Sequence, residues 1–168
     1  MYNSYMEVND PSNIKSILCL DIATRTGYCY DSASGLEFGH FNIPKNLKTH
    51  GEKFRAFAFW LFDLLNTGNF DLVAIEKPFI RGKSTFYLIG LCAIAEGVTA
   101  HYDIPFVRVP VTKIKKHFTN DGKASKIDMV TRATEMGYDV TVDDEADAIA
   151  LHYYIRAQLL NELKKEKE

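Results

Sequence analysis

The sequence predicts an α/β protein built on one five-stranded mixed sheet with helices on both faces. Three observations support this fold class. Three segments with strand patterns come first, separated by short loops, which is typical of an antiparallel meander. Two further strand segments then alternate with helical segments, which favours parallel pairing. Finally, a chain of 168 residues has the usual size of one domain with a core of its own.

The first three strands are predicted from an apolar run and an alternating pattern. Residues 17–22 form a short apolar run with β-branched ends, which is typical of a buried strand. Residues 28–30 belong to the second strand, which ends at turn residues 31–35. Residues 36–43 alternate apolar and polar side chains and are interpreted as the third strand.

Helices and two more strands account for the rest of the chain. Apolar residues at helical spacing predict a first helix over 50–65. The later helices are predicted over residues 84–102, 111–118 and 124–136, and from residue 143 onward. The fourth and fifth strands are predicted over residues 70–76 and 104–109. Asp143 or Asp144 is placed to cap the last helix.

We expect one domain, over residues 14–160, to contain all of these elements. Residues 1–13 are polar and contain turn residues, so they are interpreted as a flexible lead-in. Residues 161–168 alternate in charge and are interpreted as a tail that frays. No internal repeat, low-complexity tract or linker is found in the sequence.

Composition and cysteine usage exclude several classes of protein. The 20 basic and 22 acidic residues give a formal net charge of −2, which excludes a chain coated in basic residues but not a local basic patch. The three cysteines are odd in number and form no CxxC pair, which argues against a disulfide scaffold or a zinc ribbon. The first residues lack the pattern of a signal peptide, and the most apolar window, residues 57–65, is short and contains Asp63. We therefore expect a cytoplasmic protein with no membrane partner.

Four carboxylates lie in or beside buried elements. Asp21 lies in the apolar run of the first strand, and Glu76 closes the fourth strand. Asp144 and Asp147 are three residues apart on a predicted helix and therefore share one face. A charge among apolar neighbours is costly unless something pairs with it. Asp21 or Glu76 alone is ordinarily a cap, a turn former or an ion-pair partner, and Asp144 alone is ordinarily a helix cap. Asp147 is the hardest to explain in this way, because its neighbours are apolar. The prediction of a site depends on all four together.

If the four acids converge, their mutual repulsion requires bound cations. Oxygen-only ligands are typical of sites for Mg²⁺ or Mn²⁺ rather than zinc. Two Mg²⁺ ions roughly 3.5–4 Å apart can hold the attacking and leaving oxygens of a phosphodiester. The acids therefore favour a two-metal site for phosphodiester chemistry, with Mg²⁺ as the cofactor and Mn²⁺ as a substitute.

Two of the acids lie in motifs that resemble the RuvC-type Holliday-junction resolvases, in particular their short phage-type members. Residues 20–28, Leu-Asp-Ile-Ala-Thr-Arg-Thr-Gly-Tyr, resemble the family's first strand, with its leading aspartate at Asp21 and a Gly-aromatic pair six residues later. Residues 74–79, Ala-Ile-Glu-Lys-Pro-Phe, resemble the strand whose glutamate, here Glu76, binds metal. The resemblance assigns Phe79 to stacking on an unpaired base at the junction centre, and the ordinary alternative is core packing.

Two further motifs extend the resemblance over residues 17–155. Residues 114–126 contain Ile-Lys-Lys, a glycine-containing turn and Ala-Ser-Lys, and the family's two functional lysines fall on Lys115 and Lys126. Residues 144–151, Asp-Glu-Ala-Asp-Ala-Ile-Ala-Leu, resemble the closing Asp-x-x-Asp-Ala-hydrophobic signature. Each motif is weak alone, but four motifs in the family's order and at matching spacing are fairly specific.

The resemblance implies an RNase H-like fold, a homodimer and Mg²⁺-dependent nicking of branched DNA such as Holliday junctions. It implies that the four acids and Lys126 are catalytic, that the acids hold two metal ions, and that the products carry 5′-phosphate and 3′-hydroxyl ends. The likeness to phage members implies the cytoplasm of a bacterial host. The helix predicted over 84–102 is apolar on more than one face, so it can pack against its twin in a dimer.

A basic segment supplies the candidate DNA-binding surface. Residues 108–132 hold seven cations and two carboxylates, which gives +5 in a chain of net charge −2. Such a patch can neutralise backbone phosphates, although a run of lysines is more often a solvated helix face. The residues assigned to DNA binding are Phe79, Arg81, Lys83, Lys115, Lys116 and Lys126.

The sequence leaves other functions open. The same acids suit another RNase H-like nuclease, acting on RNA–DNA hybrids or flaps, and only a panel of substrates separates the two. Residues 21–27 faintly resemble the phosphate loop of actin-like and sugar-kinase ATPases, but those proteins generally need two such domains, so no nucleotide cofactor is expected. A third alternative is a non-catalytic module that binds DNA junctions without cutting them.

Overall fold

A mixed five-stranded sheet forms the centre of the protein in a computed structural model that describes residues 10–78 and 85–165. The strands are β1 (Ile17–Asp21), β2 (Arg25–Ser32), β3 (Gly35–Asn42), β4 (Leu72–Glu76) and β5 (Phe106–Val109). Their order across the sheet is β3-β2-β1-β4-β5. β2 pairs antiparallel with β1 and β3, whereas β4 pairs parallel with β1 and β5. The predicted mixed sheet, a meander followed by parallel strands, is confirmed.

Helices cover both faces of this sheet, as predicted. They are α1 (His50–Thr67), α2 (Thr85–His101), α3 (Val111–Thr119), α4 (Lys126–Glu135) and α5 (Asp143–Lys165). Successive residues of a strand point to opposite faces. Leu18 and Leu20 of β1 therefore pack into the core beneath α1 and α2, while Ile17 and Cys19 pack into the core beneath the other three helices. No helix within the described ranges is long and apolar enough to cross a membrane.

Two elements extend at least three residues beyond their predicted boundaries. β2 begins at Arg25 rather than near Tyr28, because Gly27 pairs with both β1 and β3 and so extends the strand. α5 continues to Lys165, into the stretch interpreted as a tail. Lysines in its last turn interact favourably with the helix dipole, which helps the helix to extend this far.

The parallel register of β1 and β4 brings two acids to the same edge of the sheet. Leu20 pairs with Ile75, so Asp21 and Glu76 lie next to each other at the carboxyl ends of the two central strands. α5 begins near this edge and packs against β1 and β2. Ligand sites of open α/β sheets lie at the carboxyl ends of strands, which makes this edge the place to look for a site.

A charged cluster anchors α5 at the opposite end of the sheet. One carboxylate oxygen of Asp31 accepts the Ile17 backbone N–H at 2.9 Å, contacts His152 Nε2 at 3.0 Å and pairs with Arg156 at 2.6 Å. Burial raises the pKa of Asp31, but these partners outweigh burial and lower it to about 2. The cluster ties α5 to β1 and β2 at the end of the sheet away from the four acids.

Candidate active site

Four acids line one cavity at the carboxyl edge of the sheet. Asp21 ends β1, Glu76 ends β4, and Asp144 and Asp147 lie in the first two turns of α5. The cavity has a volume of about 330 Å³, and Lys115 and Lys126 also line it. The structure therefore brings together all four acids and both lysines that the motifs singled out.

Burial and mutual repulsion make these acids costly to charge together. Burial raises the pKa of Asp21 well above its ordinary value, and Asp147, Glu76 and Asp144 raise it further. Burial and then Asp147 raise the pKa of Glu76 to about 7, although Lys115 lowers it. Burial raises the pKa of Asp147 to about 6, again with Lys115 opposing. A cation bound among the carboxylates would remove much of this cost.

The first turn of α5 holds two cations at the rim of the cavity. Arg25 Nη2 donates to Asp143 at 2.6 Å, and Arg25 Nε donates to Asp144. Lys126 Nζ pairs with the other oxygen of Asp143. The hydrogen bond from Lys126 is the largest cause that lowers the pKa of Asp143. The sequence suggested Asp143 or Asp144 as a helix cap, but both lie inside the helix and bind these cations. Sequence reasoning missed the roles of Arg25 and Asp143.

Two lysines of α3, Lys115 and Lys116, point to different places. Lys115 Nζ donates to the Ala124 carbonyl at 2.6 Å, which ties the α3–α4 turn to α3 beside the cavity. Lys116 Nζ donates to the Asn120 carbonyl at 2.6 Å, at the end of its own helix. Lys115 therefore faces the acids, whereas Lys116 lies outside the cavity lining.

A glycine allows β2 to approach the start of α5. A Cβ added to Gly27 would lie 1.9 Å from the carbonyl oxygen of Asp144 and 2.3 Å from its carbonyl carbon. Only a residue without a side chain fits at this distance. The glycine of the first motif thus sets how closely the acid-bearing turn of α5 packs on the sheet.

Glu145 has a structural role that sequence reasoning missed. Its buried carboxylate accepts the backbone N–H of Thr141 at 2.6 Å and that of Val142 at 3.3 Å, and it contacts His40 Nδ1 at 2.8 Å. Burial raises the pKa of Glu145, but these partners outweigh burial and lower it. The carboxylate caps α5 and ties it to β3. No sequence signal marks it, because it lies within a run of acids.

The donors in the cavity suit a hard divalent cation. The four candidate ligands are all carboxylates, and the raised pKa values of three of them indicate acids without sufficient counter-charge. In residues 10–78 and 85–165, however, no three His, Cys, Asp or Glu side chains are grouped so as to hold an ion in their present positions. Asp144 is paired with Arg25, so it would have to exchange this partner to bind a cation.

Three of the residues predicted to bind DNA fall outside the part of the chain that the structure describes. These are Phe79, Arg81 and Lys83, which follow β4 in the sequence. The last described residues before them, Lys77 and Pro78, line the acid cavity.

Comparison with known proteins finds likeness in structure only. No family model and no curated protein matches the sequence. A structure of RuvC from Thermus thermophilus is similar with a TM-score of 0.69 at 13% identity, over 86% of this chain and 98% of that one. T. thermophilus RuvC in complex with a Holliday junction substrate gives a TM-score of 0.70 at 13% identity, over 86% and 96%. The yeast mitochondrial Holliday junction resolvase gives a TM-score of 0.59 at 14% identity, over 86% of this chain and 80% of that one.

These similarities extend over most of each chain although few residues are identical. At this level of identity the likeness establishes the fold. It agrees with the mixed five-stranded sheet flanked by helices that the structure shows. The RNase H-like fold that the motifs implied is therefore confirmed, and the chain has the fold of the RuvC-type Holliday-junction resolvases.

Proposed function

We propose that this protein is a Mg²⁺-dependent, structure-selective endodeoxyribonuclease that nicks branched DNA such as Holliday junctions and leaves 5′-phosphate ends. One observation carries the proposal: four carboxylates from β1, β4 and α5 line a single cavity with two lysines. One similar structure holds a Holliday junction substrate and another is a Holliday junction resolvase, which agrees with branched DNA as the substrate. Fold alone does not imply function, so the acid set is the stronger support.

The four acids are the proposed metal ligands. Asp21 and Glu76 from the sheet, with Asp144 and Asp147 from α5, would hold two Mg²⁺ ions, and Mn²⁺ would substitute because it takes the same oxygen donors. Bound Mg²⁺ would supply a nucleophile at neutral pH and stabilise charge on the leaving oxygen. The chain itself holds the carboxylates on two central strands and on a capped helix, which keeps them close together despite their repulsion.

Lysines beside the acids are proposed to act on the scissile phosphate. Lys115 is held by the Ala124 carbonyl beside the acids. Lys126 is largely exposed and pairs with Asp143, so it can exchange this carboxylate for a phosphate oxygen. A fixed positive charge at this point stabilises the negative charge that grows during phosphodiester cleavage. We therefore assign Lys126 to catalysis and Lys115 to binding of DNA close to the cut.

The DNA-binding surface is proposed to extend from the cavity along α3 and the start of α4. The proposed contact residues are Phe79, Arg81, Lys83, Lys115, Lys116 and Lys126. Neutralising phosphates with these cations would make affinity for DNA fall with salt. Phe79 would stack on an unpaired base, which contributes about 1–3 kcal/mol per base in other proteins.

A homodimer is proposed because two active sites are needed to cut a junction symmetrically. α2 presents exposed apolar or small residues at helical spacing, namely Ile89, Ala93, Gly97 and Ala100. An exposed stripe of this kind is typical of a contact between proteins, and in a two-fold dimer the same helix meets its own copy. Light scattering after gel filtration is expected to give the mass of two chains, and a monomer at all concentrations would contradict the dimer.

A nicking assay on a labelled, immobile four-way junction tests the proposed activity. The reaction is run with Mg²⁺ and with EDTA, beside linear duplex, a flap and an RNA–DNA hybrid. We expect symmetric, Mg²⁺-dependent cuts in the junction. Asp147→Asn keeps the shape of the side chain but removes its charge, and we expect nicking to fall at least about 100-fold. Asp139→Asn makes the same change at an exposed position and is expected to nick like the parent protein.

The outcomes separate the alternatives. Equal nicking by the parent and Asp147→Asn would overturn the proposed site. Cleavage of the hybrid or of the flap in preference to the junction would identify another RNase H-like nuclease with the same acids. Binding of the junction without any cleavage would favour a non-catalytic junction-binding module.

A further inference from the structure

A cluster of aromatic rings lies where the first turns of α1 and α2 meet. We call His50, Phe54, Phe86 and Tyr87 the aromatic platform. The His50 ring lies 5.0 Å from Tyr87, 5.9 Å from Phe54 and 6.3 Å from Phe86, measured between centroids. Phe54 stacks on Tyr87 at 5.5 Å with an interplanar angle of 13°. The Phe86 side chain, three residues before Ile89 of the α2 stripe proposed for the dimer, is 71% exposed in the single chain. The platform of the single chain therefore presents a ring to solvent on top of a packed base.

The base of the platform is closely packed, because α1 and α2 approach each other there. A Cβ added to Gly90 of α2 would lie 2.4 Å from the Phe54 ring. The glycine therefore lets the Phe54 ring pack directly against the backbone of α2.

A basic segment leads into the platform, and one of its lysines lies over a platform ring. Residues 45–55, which lead into and form the start of α1, contain Lys45, Lys48, Lys53 and Arg55 against one carboxylate, Glu52. Glu52 accepts the backbone N–H of Lys48 and of Thr49, so it serves as a helix cap. Lys53 Nζ lies 5.9 Å from the Tyr87 ring centroid. This basic segment is separate from the one over residues 108–132.

The platform borders the acid cavity. Tyr87 lies close to Thr24, and the buried hydroxyl of Tyr87 has no hydrogen-bond partner among the described residues. Ala23, next to Thr24, and Leu88, next to Tyr87, both line the acid cavity. A DNA strand that reaches the acids can therefore reach the platform as well.

The geometry points to the aromatic platform as a second DNA-contact site, one that stacks an unpaired base of the branched substrate on Phe86 while the basic segment 45–55 neutralises the adjoining phosphates. Aromatic faces among cations are the general means of binding single-stranded nucleic acid, because every base has a face to stack. Duplex DNA keeps its bases paired, so it offers no free base face to stack on the platform. The platform would thus favour DNA whose branch point exposes unpaired bases. This inference rests on the proposed function for its substrate class.

Base stacking is measured directly with 2-aminopurine, whose fluorescence is quenched by stacking. The probe is placed at successive unpaired positions of a forked DNA, and binding is followed in EDTA so that no cleavage is needed. We expect the parent protein to quench at least one position. Phe86→Ala is expected to lose this quench and to weaken fork binding about 5- to 150-fold, while affinity for linear duplex stays unchanged. Phe86→Trp is expected to keep the quench.

Phe59→Ala is the matched control. Phe59 is 62% exposed on α1 but has no ring neighbour among the described residues, so its loss is expected to change neither quenching nor affinity.

Equal weakening of fork and duplex binding by Phe86→Ala, or an unchanged quench in this variant, would overturn the platform. So would a Phe86→Ala protein that changes from dimer to monomer, because the ring would then be a contact between copies. Failure of the parent protein to bind any DNA would overturn the proposed function itself, whereas fork binding without a quench would overturn the platform alone.

Discussion

Gly27→Ala tests whether close packing of β2 on α5 fixes the acid-bearing turn. The added Cβ would lie 1.9 Å from the Asp144 carbonyl oxygen, and real Cβ contacts under 3.0 Å essentially never occur. The first turn of α5 would therefore have to move by about 1 Å or more. It cannot slide freely, because Glu145 caps it near β3 and the Asp31 cluster holds the helix farther along.

The expected cost follows from this misfit. Overpacking a close contact typically costs about 1–3 kcal/mol. For a chain of this size each kcal/mol lowers the melting temperature by about 2–4 °C, so we expect a fall of about 2–12 °C. Displacing Asp144 by about 1 Å is also expected to reduce nicking of a four-way junction about 100-fold per folded molecule.

Scanning calorimetry and the nicking assay check the two effects separately. Gly51→Ala is the control, because nothing lies within 4 Å of an added Cβ there. Alanine in the first turn of α1 is expected to leave stability unchanged or to raise it by up to about 1 kcal/mol. A Gly27→Ala protein that melts within 1 °C of the parent and nicks normally would refute the packing argument.

The charges of the molecule support three more predictions. In EDTA, the free energy of unfolding is expected to fall as pH rises from about 5 to about 7. The reason is that Glu76 and Asp147, with pKa values raised to about 7 and about 6, bind more protons in the folded state than in the unfolded state. Urea titrations across this pH range check the sign, and a rise in the free energy of unfolding would contradict it. Asp21→Asn is expected to keep or raise the melting temperature without metal, yet to abolish the rise that Mg²⁺ produces in the parent, as measured by calorimetry. Asp31→Ala is expected to cost about 1–3 kcal/mol at pH 7 in urea unfolding, because buried His152 loses its partner. Its nicking rate per folded molecule should not change, and a large loss would show that the two ends of α5 are coupled.

Most of the fold was predictable because burial leaves a local pattern in the sequence. β1 and β4 are buried on both faces, so they read as continuous apolar runs, each closed by an acid. The start of β2 was not predictable in this way. Residues 25–27, Arg-Thr-Gly, have weak strand character, and they are extended because strands on both sides pair with β2.

The candidate site was predictable as a set of residue types and motifs, but not as a set of roles. Asp21, Glu76, Asp144 and Asp147 stand out by their place in buried elements. Sequence reasoning grouped Lys115 and Lys116 as DNA-binding residues, and only the family resemblance set Lys115 apart. The structure places Lys115 in the lining of the acid cavity and Lys116 outside it. A helical period of 3.6 residues turns adjacent side chains about 100° apart, so neighbours in sequence face different surroundings.

The sequence alone determined the order of the elements, the acids at the ends of β1 and β4, and the four motifs that resemble the RuvC family. Only the tertiary structure decided that Glu145 is a buried cap, that Asp143 holds Arg25 and Lys126, and that the rings of α1 and α2 meet beside the acids. The physical reason is the distance along the chain over which each interaction acts. Hydrophobic periodicity and capping act over a few residues and are visible locally, whereas these ion pairs and ring contacts join residues that are distant in the chain and become neighbours only when the sheet and helices pack.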